Sequence, residues 1–285
     1  MKQEYDVSIT RACTIVDLHR SMWYYQNKRD DSHVIDKLNE LADKLPTRGF
    51  DEYYNRIRNE GIKWNRKRVL RVYRSMGMNI RRKRKRRLPS RVKQPLSVPA
   101  TQNHTWSMDF MSDALSYGRR IRILNIIDDF NREALAIEPS FSFAAEQLVR
   151  VLKEVVFLRG QPKEIRVDNG PEFLSKVFVN WCKFYGIEIK YIQPGKPVQN
   201  AYIERFNRLF REDILDAYIF DNINQVRMLS EEWMNDYNYN HPHGSLNKKS
   251  PIEYAKTFSL EGTFHGKDIT ENKEEMSKLV LSDKG

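Results

Sequence analysis

Residues 187–215 read IEIKYIQPGKPVQNAYIERFNRLFREDIL. Ile187 to Ile192 has the pattern of a strand, Pro194-Gly195 of a turn, and the stretch after it of a helix that carries Glu204 among basic residues. Working back from this stretch, Ile165 to Val167 is a short strand that delivers Asp168, and Asn169-Gly170 turns the chain. Pro171 suits the first position of a helix running through Tyr185. Ser142 to Arg159 is an amphipathic helix stopped by Gly160 and Pro162. Further back, three runs have strand character: His104 to Met111, Arg119 to Phe130 and Arg132 to Glu138. The second is rich in Ile and Leu and reads as central. Short turns join the three, which predicts an antiparallel meander. The order βββαβαβα predicts an α/β fold, a mixed five-stranded sheet flanked by helices.

Three carboxylates stand out in this half. Asp109 falls in mid-strand, where aspartate is disfavoured, on the side opposite Trp106, Met108 and Phe110. Asp168 closes a strand, and Glu204 opens a helix. All three can meet at one edge of the sheet. Converging carboxylates repel one another unless cations join them, and an oxygen-rich site suits Mg²⁺ or Mn²⁺. Two such ions about 3.5–4 Å apart serve phosphodiester chemistry by activating an attacking oxygen and stabilising a leaving one. The plain alternatives stay open at this point: Asp168-Asn169-Gly170 is also a good turn, and Glu204 also fits a solvated helix residue.

Charge divides the chain in two. Residues 1–100 hold 25 Lys and Arg against 11 Asp and Glu, a net of +14, whereas residues 101–285 have a net of −3. A basic front on a slightly acidic back suggests a nucleic-acid-binding module joined to something else. One or two short helices are expected over 8–26, ending in the cluster Met22, Trp23, Tyr24 and Tyr25. Another is expected from Val34 to Leu45, stopped by Pro46, and a third over Phe50 to Arg58, with Gly61 past its end. The fourth, NRKRVLRVYRSMG, has Asn65 as N-cap and Gly77 as stop. Val69, Val72, Tyr73 and Met76 share one face, and Lys67, Arg71 and Arg74 the other. That pattern suits the recognition helix of a helix-turn-helix, and equally a surface helix with solvated arginines. Arg81 to Arg87, RRKRKRR, is a run that phosphates would neutralise, so Arg81, Arg82, Lys83 and Arg84 are candidate DNA contacts. The organisation expected is a helix-turn-helix-like region over 1–80, a basic, Pro-containing linker over 81–101, a catalytic core over 102–256 and a polar tail over 257–285, with a helix around Ile269 to Leu281. No apolar run is long enough to span a bilayer, and no signal peptide is visible. Cys13 and Cys182 offer no disulfide framework, which suggests a reducing compartment.

From about Thr105 to Ala255 the chain resembles the integrase core of the DDE transposases, and within them the OrfB class of bacterial insertion sequences. The matching residues are TWSMDF around Asp109, LNIIDDFNRE, RVDNGPEF around Asp168, IQPGKPVQNAYIERFNR around Glu204, and YNYNHPHGSL. The resemblance implies a ribonuclease-H-like sheet and metal ligation by Asp109, Asp168 and Glu204, with two Mg²⁺ or Mn²⁺ ions. It also implies phosphate contact by Arg211, seven residues beyond the glutamate. By function it implies a transposase that cuts at the inverted ends of its element and joins the 3′-hydroxyl to target DNA, acting as a multimer. Localisation would be cytoplasmic, at the bacterial nucleoid. Class members are often made as frameshift fusions to an upstream helix-turn-helix protein, so this chain is expected to be a downstream half.

Other residues of these motifs carry lesser expectations. Lys196 and Gln199 are placed to contact DNA from the turn, and Asn200 to face the same site as Glu204. Asp128 and Asp129 read as structural, and Glu172 as a carboxylate in a helix's first turn. The class usually has arginine where this chain has His241, and His243 reads as a packing residue. Two rival functions remain: a non-catalytic DNA-binding regulator derived from a transposase, and a structure-selective nuclease of the same fold.

Overall fold

The computed structural model describes residues 7–25, 30–79, 99–193 and 200–259. Arg81, Arg82, Lys83, Arg84, Lys196, Gln199 and the helix expected around Ile269 to Leu281 lie outside the described residues.

The front region contains helices α1 (Ile9–Ile15), α2 (Arg20–Trp23), α3 (Ser32–Lys44), α4 (Phe50–Asn59) and α5 (Arg66–Ser75). Helices α3 to α5 form a small core of their own. Val34, Leu38 and Leu41 pack with Tyr53, Ile57, Val69, Val72 and Tyr73, all buried. The N-cap of α5 is Asn65, whose side chain accepts a hydrogen bond from the Lys67 N–H and so satisfies a helix-end donor. Its polar face keeps Lys67 and Arg74 exposed, but Arg71 donates to Asp31 at 2.7 Å, so α3 and α5 are also tied by charge.

The back region is a five-stranded sheet in the order β3-β2-β1-β4-β5. Its strands are β1 (Thr105–Ala114), β2 (Arg120–Asp128), β3 (Ala134–Ser140), β4 (Glu164–Val167) and β5 (Glu188–Tyr191). The first three form the antiparallel meander, and β4 and β5 add in parallel. The expected central strand is displaced by one: β2 is paired on both edges, but β1 stands in the middle. Ile and Leu content records burial on both faces, which β2 has, and does not distinguish neighbouring interior strands.

Side chains alternate along β1 between two cores. Trp106, Met108 and Phe110 face α6 (Ala145–Arg159) and α7 (Lys176–Phe184), packing with Leu148, Leu152, Phe178 and Trp181. Met111, on the other face, joins a core with α8 (Ala201–Phe210) and α9 (Ile223–Asn240), where Ile203, Phe206, Phe210, Trp233 and Tyr237 are buried. Gly160 ends α6 at φ 88, a left-handed conformation that glycine adopts without strain. Helix α7 begins later than its sequence suggests. Residues 171–174 form a turn, and Ser175 is the N-cap, accepting from the Phe178 N–H. Glu172 therefore lies before the helix, where it pairs with Arg122 of β2. After α8 the chain winds one wider turn, Arg211–Leu215. A short helix, α10 (Pro251–Ser259), closes the described residues.

Charge docks the helical region onto the core. Arg56 of α4 makes two parallel hydrogen bonds to Asp236 of α9, at 3.1 and 2.8 Å. It also reaches Glu52 at 3.1 Å, and Glu52 in turn meets His241 Nδ1 at 2.9 Å. Arg48 pairs with Asp213, which accepts from Trp233 Nε1 as well. Burial alone would raise Asp236, but the Arg56 hydrogen bonds and charge, with Lys44 beside them, hold it down at about 2.

Removing one partner leaves the other buried and unpaired, so Asp236→Asn is expected to lower unfolding free energy by about 2–3 kcal/mol. Urea denaturation at pH 7 measures it. A carboxyl held below its ordinary value stabilises the fold above that value, so the wild-type advantage over Asp236→Asn should persist at neutral pH and vanish as pH falls towards 2.

Candidate active site

The parallel pairing of β1 with β4 sets the site. Thr105, Trp106 and Ser107 stand opposite Glu164, Ile165 and Arg166, a constant offset of fifty-nine residues. Carried two residues further, that offset brings Asp168 level with Asp109. Neighbouring strands run about 4.8 Å apart, so the two carboxylates rise from adjacent strand positions. Asp168 is exposed just past β4, and its Oδ1 accepts from the Gly170 N–H at 2.9 Å. A Cβ at Gly170 would stand 3.0 Å from that same Oδ1, so glycine leaves the carboxylate its room.

Helix α8 supplies the third acid. Asp109 shares the strand face of Met111, the face against which α8 packs. Asn207 Nδ2 donates to Asp109 Oδ2 at 2.7 Å, and Asn207 Oδ1 accepts from Asn125 Nδ2 at 2.7 Å. Asn125 is Asp109's cross-strand partner on β2. Glu204 lies three residues before Asn207, on the same side of the helix, and is exposed. One hydrogen-bonded chain, Asn125–Asn207–Asp109, thus fixes the glutamate's helix against the aspartate's strand. Asn207 and Asn125 were not among the candidates. The signal that points to Asn207 is its helical spacing from Glu204, whereas Asn125 is reached only through strand register.

Electrostatics ties the three acids together. Burial pushes Asp109 up to about 6. The Phe110 N–H opposes this, the negative charges of Asp168 and Glu204 add to it, and Asn207 opposes it again. Among the described residues no group of three His, Cys, Asp or Glu side chains is gathered closely enough to hold an ion as it stands. The donor set nevertheless fits a hard divalent cation: three carboxylates, one held by Asn207 and two exposed.

The remaining candidates fall elsewhere. Arg211 sits where α8 gives way to the wider turn, and its Nη2 donates to the Ser112 carbonyl at 2.9 Å, so its guanidinium is partly spent on β1. Asn200 is buried before α8 and does not cap it, and its Oδ1 has no hydrogen-bond partner among the described residues. Asp128 accepts from the Asn103 and Phe130 N–H groups, and Asp129 pairs with Arg166 at 2.7 Å. Both are buried, and burial pushes them up to about 7 and about 6. Their partners are backbone and Arg166, which fits a structural role. His241 is buried against Glu52.

Two family profiles, each described as Integrase core domain, match this chain over residues 99–197 and 185–251. The uncharacterized 31.7 kDa protein of insertion element IS407 from Burkholderia multivorans is 37% identical over 257 residues, covering 90% of this chain and 93% of that protein. The uncharacterized 39.2 kDa protein of insertion element IS476 from Xanthomonas euvesicatoria is 34% identical, over 92% and 76%. Transposase InsD of insertion element IS2 from Escherichia coli is 25% identical, over 89% and 90%. Among solved structures, the HTLV-2 integrase catalytic core domain in complex with magnesium aligns over 54% of this chain and 97% of that one, with 19% identity and a TM-score of 0.44.

Asn207→Ala removes the donor to Asp109 and strands the Asn125 amide. The expected cost is about 1–3 kcal/mol of stability. Urea unfolding of the two proteins side by side, without divalent ions, measures it, and an unchanged midpoint would show that the bridge is not holding α8 to the sheet.

Proposed function

The chain belongs to the insertion-element transposases with an integrase core domain, and we propose that it is a DDE transposase acting on the DNA ends of its element. The observation that carries this reading is the Asn207 bridge, which sets the Glu204 side of α8 against Asp109 beside Asp168.

In this reading Asp109, Asp168 and Glu204 hold one or two Mg²⁺ or Mn²⁺ ions, and bound cations supply Lewis acidity and neutralise charge on the reacting oxygens. Asn207 aims the Asp109 carboxylate, and Gly170 leaves Asp168 free to turn inward. Water attacks phosphorus at the element end. The bond from phosphorus to the 3′ oxygen breaks, leaving a 3′-hydroxyl and a 5′-phosphate. That hydroxyl then attacks a phosphodiester of target DNA, a P–O bond forms, and the target strand's own 3′ oxygen leaves with a proton. Helices α3 to α5 serve as a separate DNA-binding module, with Lys67 and Arg74 exposed to phosphates and the basic run at 81–87 following them in the sequence. Two such chains, one on each element end, would act together, with or without an upstream fused partner.

The test incubates the purified chain with labelled ends of its element and Mg²⁺ or Mn²⁺, beside Glu204→Gln. Nicking and joining should need the cation and fall by roughly a hundredfold or more in the variant. DNA binding without cation-dependent cleavage, equal in both proteins, would instead favour the non-catalytic regulator.

A further inference from the structure

Helix α8 has a second working face. At about 100° per residue, Tyr202, Arg205, Phe206 and Leu209 lie opposite Glu204, Asn207 and Arg211. That opposite face borders a cavity of about 140 Å³, several times the ~30 Å³ share of one water. Arg132 from the β2–β3 turn, Tyr237 of α9 and His243 from the loop beyond it also line it, with Gly244 and Ser245, and the lining contains no Asp or Glu.

Its polar groups are under-used. The Arg132 guanidinium lies 3.4 Å over the centre of the Tyr202 ring, which fixes its plane. Of its five N–H donors, one makes a long bond of 3.4 Å to the Phe130 carbonyl. Among the described residues, neither Arg132 nor Arg205 stands within ion-pair distance of a carboxylate. Asp129, the acid that feels Arg132's charge, pairs with Arg166 through Oδ2. His243 is 6% exposed, and its Nε2 has no hydrogen-bond partner. Burial first, then the positive charges of His241, Arg205, Arg132 and Arg48, hold its pKa well below the ordinary histidine range. The imidazole is therefore neutral at pH 7, and it keeps one N–H to give.

Two guanidiniums at one small cavity, with a neutral donor and no acid, repel each other unless an anion joins them. Arginine's planar fork matches tetrahedral oxyanions. We propose that this cavity, behind the catalytic helix and separate from the three acids, is a phosphate-binding subsite. Its ligand is a phosphate group, carried either by a DNA strand or by free phosphate. A phosphate seated there would brace α8 from behind while the opposite face holds the carboxylates.

The probe is inorganic phosphate, titrated calorimetrically into the full chain at low ionic strength, without DNA or divalent ions. Wild type and Arg150→Gln, an exposed charge on α6, should bind at one saturable site, and Arg205→Gln should bind about tenfold more weakly. Arg205 is exposed, so the fold should survive, and equal melting temperatures verify it. Arg132→Gln, checked the same way, gives a second reading from the buried side. Equal phosphate affinity in wild type, Arg205→Gln and Arg132→Gln, or no saturable binding at all, overturns the proposal. Duplex DNA then identifies the source. A larger loss of DNA affinity in Arg205→Gln than in Arg150→Gln assigns the subsite to a backbone phosphate, and equal losses assign it to free phosphate. Cation-dependent nicking is read separately: nicking without a phosphate site would sink this inference alone, and a phosphate site without nicking would sink the catalytic reading alone.

Discussion

The parallel pairing of β1 with β4 is the constraint on which the rest of the structure depends. It makes β1 the middle strand, which forces one side of that strand into the α6–α7 core and the other against α8 and α9. An aspartate in mid-strand must then be buried on one of these faces, and Asp109 takes the α8 face. Its burial would be a plain cost, but Asn207 and the Phe110 N–H answer it. The same pairing sets Asp168 level with it. Burial first, and then the negative charges of Asp168 and Glu204, still push the Asp109 carboxyl up to about 6.

Docking of the helical region follows a different logic. Helices α3 to α5 have their own apolar core, distinct from the two cores of the sheet. They meet it instead through Arg56–Asp236, Arg48–Asp213 and Glu52–His241. Such pairs repay their desolvation poorly but tolerate few alternative geometries, so they specify placement more than they add stability. His241 belongs to this contact. An arginine there would bring a third guanidinium to a contact that already holds Arg56 and Arg48, whereas the smaller imidazole stacks on Tyr237 and reaches Glu52.

Much of this was legible in the sequence, because local chemistry decides it. Asn65 before α5, the Ile-rich meander and the Asn169-Gly170 turn each announce themselves within a few residues. The errors fall where distant contacts override local signals. Pro171 is a good helix start, yet Glu172 is drawn to Arg122 across the sheet, and the helix waits for Ser175. The sequence likewise does not announce that α8 widens at Arg211 or that this arginine donates to the Ser112 carbonyl. The three acids could be listed from sequence, while Asn125 could not, because its role exists only through register with Asp109.

The two faces of α8 are best understood together. Phe206 and Phe210 anchor the helix among Trp233 and Tyr237, so its rotation about its axis is fixed by aromatic packing. With rotation fixed, Glu204 is committed to the Asp109 side and Arg205 to the Arg132 side. Adjacent residues of opposite charge, about 100° apart around the helix axis, thus face different surroundings. Any ligand that draws Arg205 back toward Arg132 pulls on the same turn of helix that presents Glu204. The three acids and the basic cavity thus lie against different faces of one short helix, whose orientation the same aromatic packing sets.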